Sequence, residues 1–188
     1  ILLLVPTSAA AAGWTVGPAP SDDFSTIQDA IDGAVSGDTI VVAAGTYAEA
    51  IDFGGKNLMV TSASGATSTT IDATATASSF AVTFDDFEGA AARLVGFTIQ
   101  NSGGQGIFVE YASPTLEDLV LSGLGSASVA GGALVISSGA PSVGNSSFSS
   151  NMASLGGHVY MDDLSSPSFA TTSFASGTAT TGGAVFID

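Results

Sequence analysis

Short apolar runs of strand length recur along the chain and are separated by Gly, Ser, Asn or Pro. The clearest runs are Phe108-Val109, Leu134-Val135-Ile136, Val159-Tyr160-Met161 and Val185-Phe186-Ile187. A strand needs only about four to eight residues, whereas an amphipathic helix needs about ten or more. The pattern therefore predicts an all-β repeat and excludes helical repeats.

Two landmarks repeat in step with these runs. The pairs Gly131-Gly132, Gly156-Gly157 and Gly182-Gly183 lie 25 and then 26 residues apart, and Gln105-Gly106 holds the equivalent place one period earlier. Inside each period a proline begins a second apolar run, as Pro114, Pro141 and Pro167 do. Self-similarity at a fixed period of this length indicates a solenoid.

A coil of about 25 residues with short strands and tight turns predicts a right-handed parallel β-helix. We expect about five coils of 25–26 residues, stacked at the spacing of paired strands, about 4.7–4.9 Å. Each coil buries its inward side chains only where a neighbour covers it, so like residues stack in columns. The predicted inward columns are Leu134, Val159 and Val185, and Ile136, Met161 and Ile187.

The first part of the chain predicts a short capping helix. Ser25-Thr26-Ile27-Gln28 matches a capping box, in which a hydroxyl and the Gln side chain bond the free N–H groups of the first turn. Apolar residues from Phe24 to Val35 then fall on one face, and Gly37 is expected to end the helix. Such an element covers the raw apolar end of a solenoid.

Residues 1–13 are typical of the end of a signal peptide. Ile1-Leu2-Leu3-Leu4-Val5 runs into Pro6 and a series of alanines that contains an Ala-x-Ala cleavage site. We therefore predict a secreted or cell-surface protein whose β-helix spans residues 14–188; the alternative is an apolar first strand. Because Ile187-Asp188 lies within a predicted strand, we expect further coils of the same chain after Asp188.

The net charge of the chain excludes some classes of binding partner. Seventeen acids stand against Lys56 and Arg93, a formal net charge of −15. Nucleic acid and anionic lipid need clustered cations, so neither is expected as a partner. The chain has no Cys, and no apolar run is long enough for a transmembrane span.

The entry segment resembles the pectin-lyase-like superfamily. The resemblance lies in Phe24-Ser-Thr-Ile-Gln-Asp-Ala-Ile, Gly37-Asp-Thr-Ile-Val-Val and Gly45-Thr-Tyr-Ala-Glu. The later Gly-Gly-Ala-Val and Pro-Ser-Val-x-Asn-Ser-x-Phe patterns look like repeats of bacterial secreted β-helix proteins, including polymorphic outer-membrane-protein types. The resemblance implies the fold more than an activity, because the superfamily holds lyases, hydrolases, esterases, tailspikes and surface proteins without known catalysis.

His158, Asp162 and Asp163 are the candidate catalytic residues. They are similar to the carboxylate and His components of polygalacturonases, although their order differs, and hydrolases of this fold use paired carboxylates. Strand alternation places His158 and Asp162 on the outward face. His158 then shares a column with Ala133 and Ala184, which favours a tolerated surface residue.

Asp85, Asp86 and Glu88 are candidate ligands for Ca²⁺, the one cofactor that the sequence suggests. Their oxygens suit Ca²⁺, but the alternating spacing of a specified calcium loop is missing, which favours a solvated loop. Lyases of the superfamily also need a basic residue, yet Arg93 and Lys56 fall in different coils. Arg93 is instead expected to pair with Glu88 or Asp86.

An outward apolar column is predicted at Val109, Val135, Tyr160 and Phe186. Such a stripe suits stacking of sugar rings or a protein partner; the alternative is that these side chains point inward.

Two functions fit these observations. The first is a non-catalytic secreted or surface-displayed repeat protein with a structural, adhesive or glycan-contact role. The second is the N-terminal part of a polysaccharide-degrading lyase or glycoside hydrolase whose active site lies beyond residue 188.

Overall fold

The computed structural model describes residues 10–188, which form a right-handed parallel β-helix. Three parallel sheets run along the helix axis, and each coil after the first contributes one strand to each sheet in turn. The predicted fold is confirmed. The strand bounds, numbered in chain order, are as follows. The first sheet contains β1 (Gly13–Val16), β2 (Thr39–Val42), β5 (Met59–Ser62), β8 (Arg93–Val95), β11 (Thr115–Glu117), β14 (Ser142–Gly144) and β18 (Ser168–Ala170).

The other two sheets have six strands each within the described residues. The second contains β3 (Gly45–Tyr47), β6 (Thr69–Asp72), β9 (Thr98–Gln100), β12 (Val120–Ser122), β15 (Ser147–Ser149) and β19 (Ser173–Ala175). The third contains β4 (Ile51–Asp52), β7 (Phe80–Phe84), β10 (Gln105–Glu110), β13 (Leu134–Ser137), β17 (Val159–Met161) and β21 (Val185–Ile187). The last two full coils add the pair β16 (Met152–Leu155) and β20 (Thr178–Thr181).

The prediction of about five coils is wrong, because residues 10–188 form about seven. The first sheet has seven strands, and the early ones lack the Gly-Gly and Pro landmarks from which the period was counted. The early coils are also unequal in length: Val60 follows its partner Ile40 after a short coil, and Leu94 follows Val60 after a long one. A fixed period therefore describes only the later coils.

The core is a set of inward columns, one residue per coil. Leu134 pairs with Val159, and Ile136 pairs with Met161, as predicted. All four are buried, whereas Val185 and Ile187 in the last coil are exposed. Aromatic residues stack in the same way, with the rings of Phe53 and Phe84 4.2 Å apart.

Helix α1 (Ile27–Gly33) covers the first coil, but its ends differ from the prediction. The N-cap is Thr26, whose hydroxyl accepts a hydrogen bond from the Asp29 N–H at 3.2 Å. Ala34 is the C-cap, so the helix ends before Gly37, and Val35 is exposed. The Gln28 side chain bonds other partners, because the carboxylate of Glu49 accepts the N–H groups of Ile27 and Gln28.

Asp38 joins the first two coils. This buried carboxylate accepts hydrogen bonds from the Ala12 N–H (2.7 Å), the Trp14 indole (3.0 Å) and the Val35 N–H (3.1 Å). Together these donors hold the pKa of Asp38 below its usual range, with the indole contributing most. The signal peptide was predicted at residues 1–13. Residues 1–9 lie outside the described residues, and Gly13 is the first residue of β1.

Within residues 10–188, α1 is too short to cross a membrane, and no other helix there is long and apolar enough.

Candidate functional site

The outer face of the third sheet carries a column of partly exposed apolar side chains. Phe108, Val135, Tyr160 and Phe186 are direct partners on successive strands, one per coil. The ring of Phe80 stacks on Phe108 at 4.8 Å. Tyr160 and Phe186 are likewise stacked, at 6.0 Å. We call the set Phe108, Val135, Tyr160 and Phe186 the aromatic column.

The predicted column was wrong at its first member. Val109 is fully buried and pairs with Ile136, whereas Phe108 pairs with Val135 and faces outward. The reason is the length of the turn: Ile107, the partner of Leu134, follows its glycine directly, without a counterpart of Ala133. A difference of one residue moves every following side chain to the opposite face. The missing residue between Gly106 and Ile107 was the signal available in the sequence.

An acidic column lies beside the aromatic column, two residues further along each strand. Glu110 pairs with Ser137, and the registers extend this row to Asp85, Asp162 and Asp188. Because side chains two residues apart share a face of a strand, the two columns lie about 6.6–6.8 Å apart along the strands. The outer face therefore combines apolar side chains with carboxylates, and the row of Val135 and Ser137 interrupts both the rings and the carboxylates.

Two large aromatic residues extend this face at the corner that follows the strands. Phe87 and Tyr111 are 76% and 54% exposed, and their rings stack at 6.0 Å. Both have a positive φ, 65° and 50°, a backbone region that bulky residues seldom adopt. The corner thus turns two aromatic rings into solvent next to Asp85 and Glu110.

Neither cationic side chain of the protein lies on this face. The Lys56 ammonium donates to the carbonyls of Ile31 and Asp32 at the C-terminal end of α1, at 2.7 and 2.9 Å. Arg93 forms an ion pair with Glu117 on the neighbouring strand of the first sheet. Arg93 is therefore an interstrand partner, as expected, but of Glu117 and not of Glu88 or Asp86, because the strand register brings Glu117 to it.

The candidate Ca²⁺ residues are close in sequence but serve different ends. Glu88 is buried, and its carboxylate accepts hydrogen bonds from the N–H groups of Gly55 (2.9 Å) and Asp86 (3.1 Å). Asp85 faces outward in the acidic column. Burial, and then the charges of Asp52, Asp86, Glu88 and Glu110, raise the pKa of Asp85. Among the described residues, no three His, Asp or Glu side chains are placed to share a metal ion.

His158 lies inside the β-helix, so its expected place on the surface is wrong. It precedes β17 in a bend, where strand alternation does not apply, and its side chain is 0% exposed. The ring packs between Phe148 (6.3 Å) and Phe174 (5.8 Å). A side chain at Gly177 would clash with the imidazole, so the glycine of the next coil provides the room.

Asn151 fixes the protonation state of this histidine. Its Oδ1 accepts the Leu124 N–H (2.9 Å), so its Nδ2 donates to the Leu121 carbonyl (3.0 Å) and to His158 Nδ1 (2.9 Å). His158 is therefore neutral with its proton on Nε2, which is buried and has no hydrogen-bond partner among the described residues.

The other two candidate catalytic residues are not brought to His158. Asp162 faces outward and accepts hydrogen bonds from the hydroxyls of Ser137 (3.1 Å) and Ser165 (2.6 Å) and from the Ser138 N–H. The Ser165 hydroxyl contributes most to lowering the pKa of Asp162. Asp163 is exposed in the following turn. Asp162 therefore braces a corner, and His158 belongs to the core.

Protonation of His158 is expected to destabilise the fold. Burial lowers the pKa of His158 below the ordinary 6.5. The unfolded chain then binds a proton that the folded chain does not, so stability is full above about pH 6.5 and is lost as the pH falls toward the folded pKa. His158 is the only histidine. The free energy of unfolding of the wild type, measured by urea denaturation, should therefore fall between pH 7 and pH 5 by up to about 1.4 kcal/mol per pH unit.

The control for this prediction is His158→Ala, which places the residue of the neighbouring coils in the same column. Its pH dependence over this range should be flatter, because Asp23, Asp38 and Asp162 have pKa values lowered from 3.8 and titrate at more acid pH. A wild-type midpoint as insensitive to pH as that of the variant would contradict the prediction.

A cavity of about 480 Å³ lies beside the N-terminal end of α1, between residues 18–26 and 44–49. Two of its polar side chains, Glu49 and Tyr47, already have partners within the fold. The carboxylate of Glu49 accepts two backbone N–H groups of the first helical turn, at 2.8 and 2.9 Å. The hydroxyl of Tyr47 donates to the Ala43 carbonyl at 3.0 Å. The outer face of the third sheet is therefore the stronger candidate site.

Comparison with models of protein families, with curated proteins and with solved structures gave no match for this chain.

Proposed function

We propose that this chain is a secreted or cell-surface β-helix protein of the pectin-lyase-like superfamily that contacts glycans without cleaving them. The entry-segment motifs and the later repeats support the superfamily, and the apolar run at residues 1–5 supports secretion. The observation that carries the glycan contact is the aromatic column on the outer face of the third sheet. It offers one partly exposed apolar side chain per coil, and three of the four are aromatic rings.

A pyranose ring has a face of C–H bonds that packs on an aromatic ring, while its hydroxyl groups stay in water. Phe108, Tyr160 and Phe186 lie in a line on one face of the sheet and are partly exposed. A line of stacking positions along the helix axis suits an extended polysaccharide better than a compact ligand. No acid–base machinery is needed for this role, which agrees with a buried His158 and a structural Asp162.

The proposal predicts that removing rings from the column weakens glycan binding. The double variant Phe108→Ala/Tyr160→Ala should bind about tenfold or more weakly, because an aromatic contact contributes about 0.5–1.5 kcal/mol beyond its buried area. Affinity is measured by titration with polysaccharides selected on a glycan array. Val120→Ala, a partly exposed apolar residue on the second sheet, is the control and should bind as the wild type does.

Equal binding by the double variant and the wild type would contradict the proposed face. Shortening of a bound polysaccharide by the wild-type chain would contradict the non-catalytic role.

A further inference from the structure

The outer face of the third sheet carries only negative charge, and this restricts the class of glycan that it can bind. Every ionisable side chain of the acidic column is a carboxylate: Asp85, Glu110, Asp162 and Asp188. Lys56 and Arg93 are held elsewhere, at the end of α1 and on the first sheet. No cation of the described residues therefore neutralises this face.

Asp85 lies close enough to other carboxylates for their charges to affect its pKa. The pKa of Asp85 is raised by burial first and then by the charges of Asp52, Asp86, Glu88 and Glu110. Glu110 accepts no hydrogen bond from the described residues, so its charge is available to a ligand. The carboxylates further along the column have partners already, since Asp162 accepts hydrogen bonds from serines and Asp188 accepts one from the Tyr160 hydroxyl at 2.8 Å. A uronic-acid polymer would bring further carboxylates to this face and would be repelled.

We propose that the glycan on this face is a polymer of amino sugars with free, protonated amines, lying along the helix axis with its rings on the aromatic column and its ammonium groups at the acidic column. This inference rests on the proposed function and names its ligand. The geometry supplies both interactions from one strand: an aromatic residue such as Phe108, and two residues later a carboxylate such as Glu110. An ammonium near Phe108 or Tyr160 also gains from the ring quadrupole.

A cationic peptide matches the charge but fits this face less well. The backbone groups of the inner strands β10, β13 and β17 already pair with strands on both sides. A peptide lying across them would lose water from its own N–H and C=O groups without gaining partners. A polymer of free amino sugars has no backbone amides, and its hydroxyl groups stay in water, so the face favours the glycan.

The test compares a glucosamine oligomer with an N-acetylglucosamine oligomer of equal length and with a lysine oligomer. The full chain is titrated with each in mildly acidic buffer at low and at high salt, and circular dichroism checks that the fold is intact. We expect the glucosamine oligomer to bind about tenfold or more tightly than the N-acetylated one, and this preference to shrink at high salt.

The variant Glu110→Gln removes one carboxylate of the acidic column. It should weaken binding of the glucosamine oligomer about two- to fivefold, the size expected for one exposed ionic contact, and leave the N-acetylated oligomer unaffected. Asp118→Asn is the matched control. It removes the same charge at an exposed corner far from the third sheet, where φ is 54° and Asn is well tolerated.

Three results would overturn the inference, and they differ in what they leave standing. Equal affinity for both sugar oligomers, unchanged by salt and by Glu110→Gln, removes the cationic ligand but keeps the glycan contact. A lysine oligomer that binds as tightly as the glucosamine oligomer, with no loss in Phe108→Ala, indicates a cationic peptide instead. Binding of neither sugar oligomer nor any other glycan removes the proposed function as well.

Discussion

Replacing Gly157 with alanine is expected to destabilise the last coils strongly. A Cβ at this position would lie 2.8 Å from the Thr178 N and 2.9 Å from the Thr178 O, and closer still to the Gly183 carbonyl. These are backbone atoms of the next coil, held by the pairing of β16 with β20, so they cannot move aside singly. Overpacking of this kind costs about 1–3 kcal/mol or more, and the urea midpoint should fall accordingly.

The matched control is Gly144→Ala in β14. A Cβ there meets only the Glu117 side chain, at the ordinary contact distance of 3.7 Å. Its unfolding midpoint should stay close to that of the wild type. If Gly157→Ala is as stable as Gly144→Ala, the coils are not packed as closely at this corner as the structure indicates.

Replacing Asn151 with alanine should have a comparable effect for a different reason. The Asn151 side chain is the hydrogen-bond partner of the Leu124 N–H, the Leu121 carbonyl and His158 Nδ1, all in the interior. Each buried group left unpaired costs about 1–3 kcal/mol, so the free energy of unfolding should fall by about 3 kcal/mol or more. Chemical denaturation at pH 8 measures this loss with His158 neutral.

Ser142→Ala, an exposed strand position, should change the unfolding free energy by less than about 0.5 kcal/mol and serves as the control. A loss in Asn151→Ala no larger than this would mean that the interior polar cluster does not stabilise the fold. In that case the expected acid sensitivity of the wild type would also lack its structural basis.

Much of the fold is readable from residue patterns because a solenoid repeats one local solution. The Gly-Gly landmarks are an example. Gly156 has a φ of +60°, which favours glycine, and Gly157 lies against the backbone of the next coil. The positive φ recurs at Gly131, Gly156 and Gly182 and the close approach to the next coil at Gly132 and Gly157, so both leave a periodic trace in the sequence. The early coils meet the same needs with different residues and turn lengths, and the count of five missed them.

The candidate site was predicted in kind but not in detail. The sequence indicated an outward stripe containing Val135, Tyr160 and Phe186. In the structure the fourth member of this stripe is Phe108, where Val109 was predicted. The sequence did not indicate the acidic column, because Glu110 and Asp162 belong to different coils and are aligned only by the strand register. Contacts between coils depend on turn lengths, and one residue more or less reverses the face.

By itself, the sequence determined the class of fold, the columns of the core and the excess of negative charge, because these follow from local periodicity and composition. Only the tertiary structure decided which side chains share a face and which are enclosed. His158 illustrates the difference: next to alternating residues it resembles a surface position, yet a bend and the small Gly177 of the next coil turn it into the core. Enclosure depends on the neighbouring coil, and a single repeat does not contain that information.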